Sequence, residues 1–444
     1  MSSAKIFSRG GAALPRAVRG EGAWITDASG RRYLDAAGGA IVVGIGHGRA
    51  DVAKAAAEQA AAIAYAHGSA FTADALESWA EELGPLLPMD GASLYPVSGG
   101  SEAAETALKM VRAYWLAQGE PERTIVVSRW GSYHGNTLGA LDLSGRRGLR
   151  APYEPWLGRF EHVSAAYPYR AGLDGANAIG SGVEAVAELD ALLGRVGPGR
   201  IAAFVAEPIV GATLAGAVPP DDYWPLVADW CSRNSVLFVA DEVMTGFGRT
   251  GTWFGVNHWG LRPDLLLAAK GATSGYWPFG FVAASARVAE PLTGSGFVHG
   301  FTYSHSIPGA AVARAVLATL RDERLVEASA SRGLQLRAAL ESVLAGDPWV
   351  GEIRGRGLLL GIELVADTAS KLPHARAARV TERVLAAAKG SGDDGLLLYS
   401  ATGQANGSDG DQLVIGPPFV IGDAEIDRIA RGTAAAIRAV REQG

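Results

Sequence analysis

Residues 238–271 read FVADEVMTGFGRTGTWFGVNHWGLRPDLLLAAKG. The run that ends at Ala240 and the run 265–269 are apolar throughout, as expected of strands covered on both faces in a mainly parallel sheet. Each run ends in an ionisable residue, Asp241 and Lys270, and ligands of such sheets gather at the carboxyl ends of the strands. The chain has six lysines against thirty-four arginines, and Lys270 is the one preceded by an unbroken apolar run, LLLAA. An ammonium removed from water is strongly disfavoured unless it loses its charge. A lysine placed there is therefore expected to have a lowered pKa and to act as an amine nucleophile. It suits condensation with an aldehyde such as that of pyridoxal phosphate. Asp241 then has a matching task, to hold a pyridine nitrogen protonated so that the ring becomes an electron sink. Taken singly, each residue also has a structural reading: an aspartate that caps its strand, and a lysine that reaches from a strand end to the surface.

Outward from this stretch the pattern repeats. TIVVS (124–128), IAAFVAE (201–207), VLFVADEV (236–243) and DLLLAA (264–269) alternate with helical stretches, which predicts an α/β fold with a mainly parallel sheet. Glu207 falls at another strand end. Earlier in the chain, Val97-Ser98-Gly99-Gly100-Ser101-Glu102-Ala103 leads into the helical AETALKMVRAYW, and a small-residue loop at a helix N-terminus is suited to a phosphate. Gly99 and Gly100 let backbone amides approach, and Ser101 adds a hydroxyl near the positive end of the helix dipole. Tyr133 follows the TIVVS strand, where its ring can stack on a pyridine face. Val243 points to the same side of its strand as Asp241.

Toward the N-terminus, EGAWITDASGRRYLDAAGG reads as a hairpin, and 51–66 and 74–87 as helices. After residue 305 a long helical stretch, IPGAAVARAVLATLRDERLVEAS, leads to strands near 355–365, 396–400 and 412–421. Residues 401–411 read as a polar turn, either a hairpin tip or a loop that covers a substrate. The expected layout is an N-terminal part of a small domain (1–65), a large α/β domain (66–305), and a linking helix with the C-terminal small domain (306–444).

Composition excludes other classes. A net charge of −6 argues against nucleic acid or an anionic membrane as the main partner. No apolar run approaches a membrane span, and the first twenty residues lack a signal-peptide core. A single cysteine, Cys231, fits a reducing cytoplasm. His258, His299 and His305 share no metal-binding spacing with Cys231 or a carboxylate pair, so no metal site is expected. Gly246–Gly251 lacks the room for a dinucleotide fingerprint, and no Walker lysine follows it.

DEVMTGFGRTG and PDLLLAAKG closely resemble the two signatures of the class III aminotransferases, the ω-aminotransferase group of fold-type I pyridoxal phosphate enzymes. The resemblance runs from GRRYLDAAGGAIVVGIGHG (30–48) to GPPFVI (416–421). It implies a large mainly parallel-sheet domain plus a small α+β domain built from both termini, with pyridoxal 5'-phosphate as cofactor. It gives Tyr133 the stacking role with His134 close to the ring, Val243 the opposite ring face, and Glu207 a place near the ring hydroxyl or the pyridine side. Glu207 also reads as a structural carboxylate bonded to loop amides. Thr302 matches a threonine that reaches the phosphate of the neighbouring subunit's cofactor, which implies a homodimer with shared active sites. The implied function is a transaminase that moves an amino group from an ω-amine or simple amine to a keto acid, pyruvate favoured, or an aldehyde. A decarboxylating transaminase, aminomutase or racemase on the same fold is the alternative. Relatives of the ornithine and aminobutyrate type carry a glutamate–arginine gate where this chain has Ala212 and Val414. Amine:pyruvate members place a mobile arginine where it has Tyr399 or Ser400. The usual carboxylate clamp is therefore missing from both places.

Overall fold

The strand Leu237–Asp241 runs through the centre of a seven-stranded sheet in the computed structural model, which describes residues 14–443. Across the sheet the strands are Ser93–Val97, Gly280–Ala284, Leu265–Ala268, Leu237–Asp241, Ile201–Ala206, Ile125–Arg129 and Glu161–Val163. The last five are parallel, whereas Gly280–Ala284 is antiparallel to both of its neighbours. Every residue of Ile201–Ala206 and Leu237–Asp241 is buried, the result of apolar side chains on both faces. The helix Gly100–Ala117 packs over Leu265–Ala268 and Gly280–Ala284 and buries Ala103, Ala107, Met110 and Val111. In this register Asp241 lies beside Leu267, so the two chemically loaded strand ends face the same edge.

A two-stranded sheet, Ala165–Ala166 parallel to Ala178–Ile179, and two four-stranded sheets complete the α/β architecture among the described residues. In one, the hairpin Trp24–Asp27 and Arg32–Asp35 is joined by Ala17–Glu21 and by Gly395–Leu397, a strand from near the other end of the chain that pairs parallel to Arg32–Asp35. The other is antiparallel throughout, in the order Val350–Arg356, Leu359–Leu364, Asp411–Ile415, Tyr399–Thr402. Residues 403–410 are thus the turn of a hairpin.

Three local expectations change. The stretch after residue 305 is two helices rather than one, Ile307–Asp322 and Leu325–Val343, because Arg324 takes a left-handed conformation at φ 52. LLLYS splits between the two small sheets, with Leu397 and Tyr399 on either side of the break. The strand expected over 412–421 stops at Ile415, just ahead of Pro417 and Pro418, which cannot donate to a ladder. Among the described residues no helix is long and apolar enough to cross a membrane, and no group of three or more His, Cys, Asp and Glu side chains is placed to hold a metal ion.

Candidate active site

The carboxyl ends of Ile201–Ala206, Leu237–Asp241 and Leu265–Ala268 border a cavity of about 150 Å³. Gly100, Ser101, Tyr133, His134, Glu207, Asp241, Val243 and Lys270 line it, together with Gly135, Ala212 and Met244. Larger cavities of about 500 and 300 Å³ lie elsewhere but hold neither the amine nor this carboxylate pair.

Lys270 begins a short turn, Lys270–Ala272, directly after its strand, and its φ is 39. Burial pulls its pKa down; Asp241 and Glu207 oppose that and Arg249 adds to it. Asp241 is almost wholly buried. Its Oδ2 lies 2.6 Å from His134 Nδ1, and its Oδ1 accepts from the Val243 amide at 3.0 Å. An ionised carboxylate only accepts, so in this pair the hydrogen sits on Nδ1. Ser128 Oγ meets the other ring nitrogen at 3.1 Å, and the His134 amide donates to Ser144 Oγ at 2.8 Å. The imidazole is thereby fixed behind the carboxylate. Glu207 accepts from the amides of Tyr133 at 3.0 Å and Gly211 at 2.8 Å, the loop-amide arrangement, while it also borders the cavity. Burial raises its pKa, and the nearby His134 works against that rise.

At the other end of the cavity, Gly100–Ala117 starts after Gly99 and leaves its first-turn amides without helical acceptors. A Cβ added at Gly100 would approach Val243 Cγ1 to 3.0 Å, and one at Gly135 would approach Ser101 Oγ to 2.5 Å. A Cβ at Gly99 would meet only open space. Ser101 Oγ accepts from the Asn136 amide at 3.1 Å, and Asn136 Nδ2 donates to the Tyr133 hydroxyl at 3.1 Å. The buried Ser98 hydroxyl has no hydrogen-bond partner in the described structure.

Two expected residues do not line this cavity: Gly99, directly before the helix start, and Thr302. Thr302 is exposed and lines a different cavity with Tyr95, His299 and His305. The two halves of the missing gate do meet: Ala212, Val414 and Tyr399 pack into one apolar cluster with Ile41 and Met244. Sequence reasoning missed Ser128, Ser144 and Arg249. Arg249, from the glycine-rich turn, donates to the carbonyls of Val43 (3.0 Å), Leu358 (3.0 Å) and Pro417 (2.7 Å). Burial pulls its pKa down to about 9, the Asp35 carboxylate opposes that fall, and its three carbonyl acceptors make it a structural fastener.

The donor set fits pyridoxal phosphate. An amine with a lowered pKa faces a buried carboxylate, and a helix start with an orphaned hydroxyl supplies the anion-binding end. Comparison with known proteins agrees. The model of the family "Aminotransferase class-III" matches residues 7–437. An uncharacterized aminotransferase of Bacillus subtilis, YodT, is 37% identical over 431 residues, 97% of this chain and 96% of the relative. A putrescine–pyruvate aminotransferase of Pseudomonas aeruginosa is 34% identical, with 93% of this chain and 88% of the relative covered. The crystal structure of an amine transaminase from an uncultivated Pseudomonas species, in its pyridoxal-phosphate-bound form, superposes with a TM-score of 0.89 at 32% identity, over 100% of this chain and 99% of that one.

Proposed function

Because the chain belongs to the class III aminotransferases and is a pyridoxal-phosphate-dependent transaminase, we propose that it moves an amino group from an ω-amine or simple amine to pyruvate, another monocarboxylate keto acid or an aldehyde. The observation that carries this choice is the apolar cluster of Ala212, Val414 and Tyr399 beside the Lys270 cavity, where related enzymes that recognise a second carboxylate hold charged groups. The similarity to a putrescine–pyruvate enzyme supports it.

The bound cofactor supplies an electrophilic carbonyl and an electron-accepting ring. In this reading Lys270 Nζ would hold the cofactor covalently, and as a free amine it would be the base that moves the substrate's proton. The Asp241 carboxylate would keep the pyridine nitrogen protonated, and His134, held by Ser128 and Ser144, keeps that carboxylate in place. That charge acts mainly as negative charge builds on the ring in the transition state. Tyr133 and Val243 would flank the ring, Glu207 would border it, and Gly99, Gly100 and Ser101 would receive the phosphate. Thr302, exposed and outside its own cavity, serves the second subunit of a homodimer. The buried lone thiol of Cys231 is in keeping with a cytoplasmic enzyme.

The test is a panel of amine donors against pyruvate, 2-oxoglutarate and aldehydes. Pyruvate or an aldehyde is expected to lead. A kcat/KM for 2-oxoglutarate about tenfold above that for pyruvate overturns the acceptor assignment.

A further inference from the structure

A second cavity of about 300 Å³ lies between the loop at 145–149 and the hairpin turn at 403–408; it shares no lining residue with the Lys270 cavity, but its Thr213 follows directly on Ala212 of that cavity. Arg146, Arg147 and Arg376 line it, and its lining contains no aspartate or glutamate. Two of these arginines are engaged. Arg376 forms an ion pair with Glu382, and Arg147 stacks on Trp130 with its guanidinium 4.7 Å from the ring centre. The carbonyl of Arg146 accepts from the amides of Leu149 (3.0 Å) and Arg150 (3.2 Å), but its guanidinium has no ion pair or hydrogen bond to another described residue. Burial pulls its pKa down, with the phenols of Tyr399 and Tyr133 opposing. A guanidinium keeps its charge in proteins, and this one is half-buried at the cavity wall with its N–H groups still free to meet an anion.

The position of Arg146 links the two cavities. It follows Gly145, whose amide donates to the carbonyl and the hydroxyl of Ser132, each at 3.1 Å, so its loop is fastened next to Tyr133. Tyr133 lines the Lys270 cavity. Its other neighbour, Tyr399, packs with Ala212 and Met244, which line that cavity as well.

We propose that Arg146 binds the carboxylate of the keto-acid acceptor and thereby supplies the recognition that Ala212, Val414 and Tyr399 do not. This rests on the reading of the enzyme as a transaminase of monocarboxylate acceptors. A single free guanidinium matches one carboxylate in a bidentate contact. Of the other two lining guanidiniums, Arg376 is neutralised by Glu382 and Arg147 is an exposed cation laid on the Trp130 ring.

The experiment compares the wild-type holoenzyme with Arg146→Gln and Arg146→Lys, using pyruvate and the uncharged acceptor butanal with one amine donor. In Arg146→Gln, kcat/KM for pyruvate is expected to fall about tenfold or more, while that for butanal changes less than about twofold. Arg146→Lys should fall between, because it restores the charge without the planar fork. A second readout needs no turnover: calorimetric binding of propionate to the holoenzyme should weaken about tenfold in Arg146→Gln. Equal losses on pyruvate and butanal, or unchanged propionate binding, overturn the proposal. A wild-type enzyme that aminates no acceptor refutes the transaminase reading itself, and the propionate measurement then still decides the role of Arg146.

Discussion

Lys270 sits at a φ of 39, in a region that costs a residue with a side chain on the order of 1–3 kcal/mol. Such a conformation persists where the surroundings impose it, and here it turns the amine toward the cavity at the end of a rigid strand. Lys270→Ala should abolish turnover and the visible band of the covalently held cofactor, with cooperative unfolding retained; near wild-type turnover would reject the role. The lowered pKa gives a sign to the pH dependence. The neutral amine is the nucleophile, so capture of pyridoxal phosphate by the apoprotein should speed up as pH rises, with its half-point below that of an ordinary lysine. A stopped-flow half-point at or above an ordinary lysine's would contradict this. Asp241→Asn keeps the size but removes the charge, and kcat should drop by about 10²-fold. A change under about threefold would make Asp241 a structural strand end. These residues were legible because each closes an apolar run. The partnership of Asp241 with His134, 107 positions apart, was not. It arises from the sheet order, in which Ile125–Arg129 and Leu237–Asp241 stand one strand apart, and no local pattern encodes that order.

The helix start at Gly100 and the turn at Gly135 hold each other in place. Gly135 has a φ of 144, and a Cβ there would come within 2.8 Å of Ala140 Cβ as well as striking Ser101 Oγ. Gly135→Ala should therefore lower stability by on the order of 2 kcal/mol and weaken cofactor retention through Ser101. Gly119→Ala is the control: Gly119 also has a positive φ, but a Cβ there meets nothing. Thermal unfolding and cofactor titration of both variants separate the two effects, and equal cofactor affinities would count against Ser101 as a phosphate ligand. The central strands were readable from composition because burial on both faces leaves little room for polar residues. The left-handed break at Arg324 between two helices was not, because the residue there is no glycine, and neither was the division of LLLYS, which depends on which sheet each half joins.

Across the whole molecule, Arg249 draws Val43, Leu358 and Pro417 around the base of the site, so segments far apart in the chain are fixed by one side chain. If Thr302 completes a partner's site, activity should be lost on dilution below the dimer's dissociation constant. Thr302→Ala should then release cofactor more readily while changing the chemical step little. Sedimentation and cofactor loss on gel filtration check both, and a fully active monomer would refute the shared site. The strand Gly395–Leu397, set beside Arg32–Asp35, has a bearing on the protein's birth. At elongation rates of about 5–20 residues per second the first hairpin emerges from the ribosome on the order of tens of seconds before its parallel partner exists. Until then its open edge is a ready template for a neighbouring nascent chain, so crowded polysomes, rather than the finished enzyme, are where this fold is most exposed to aggregation.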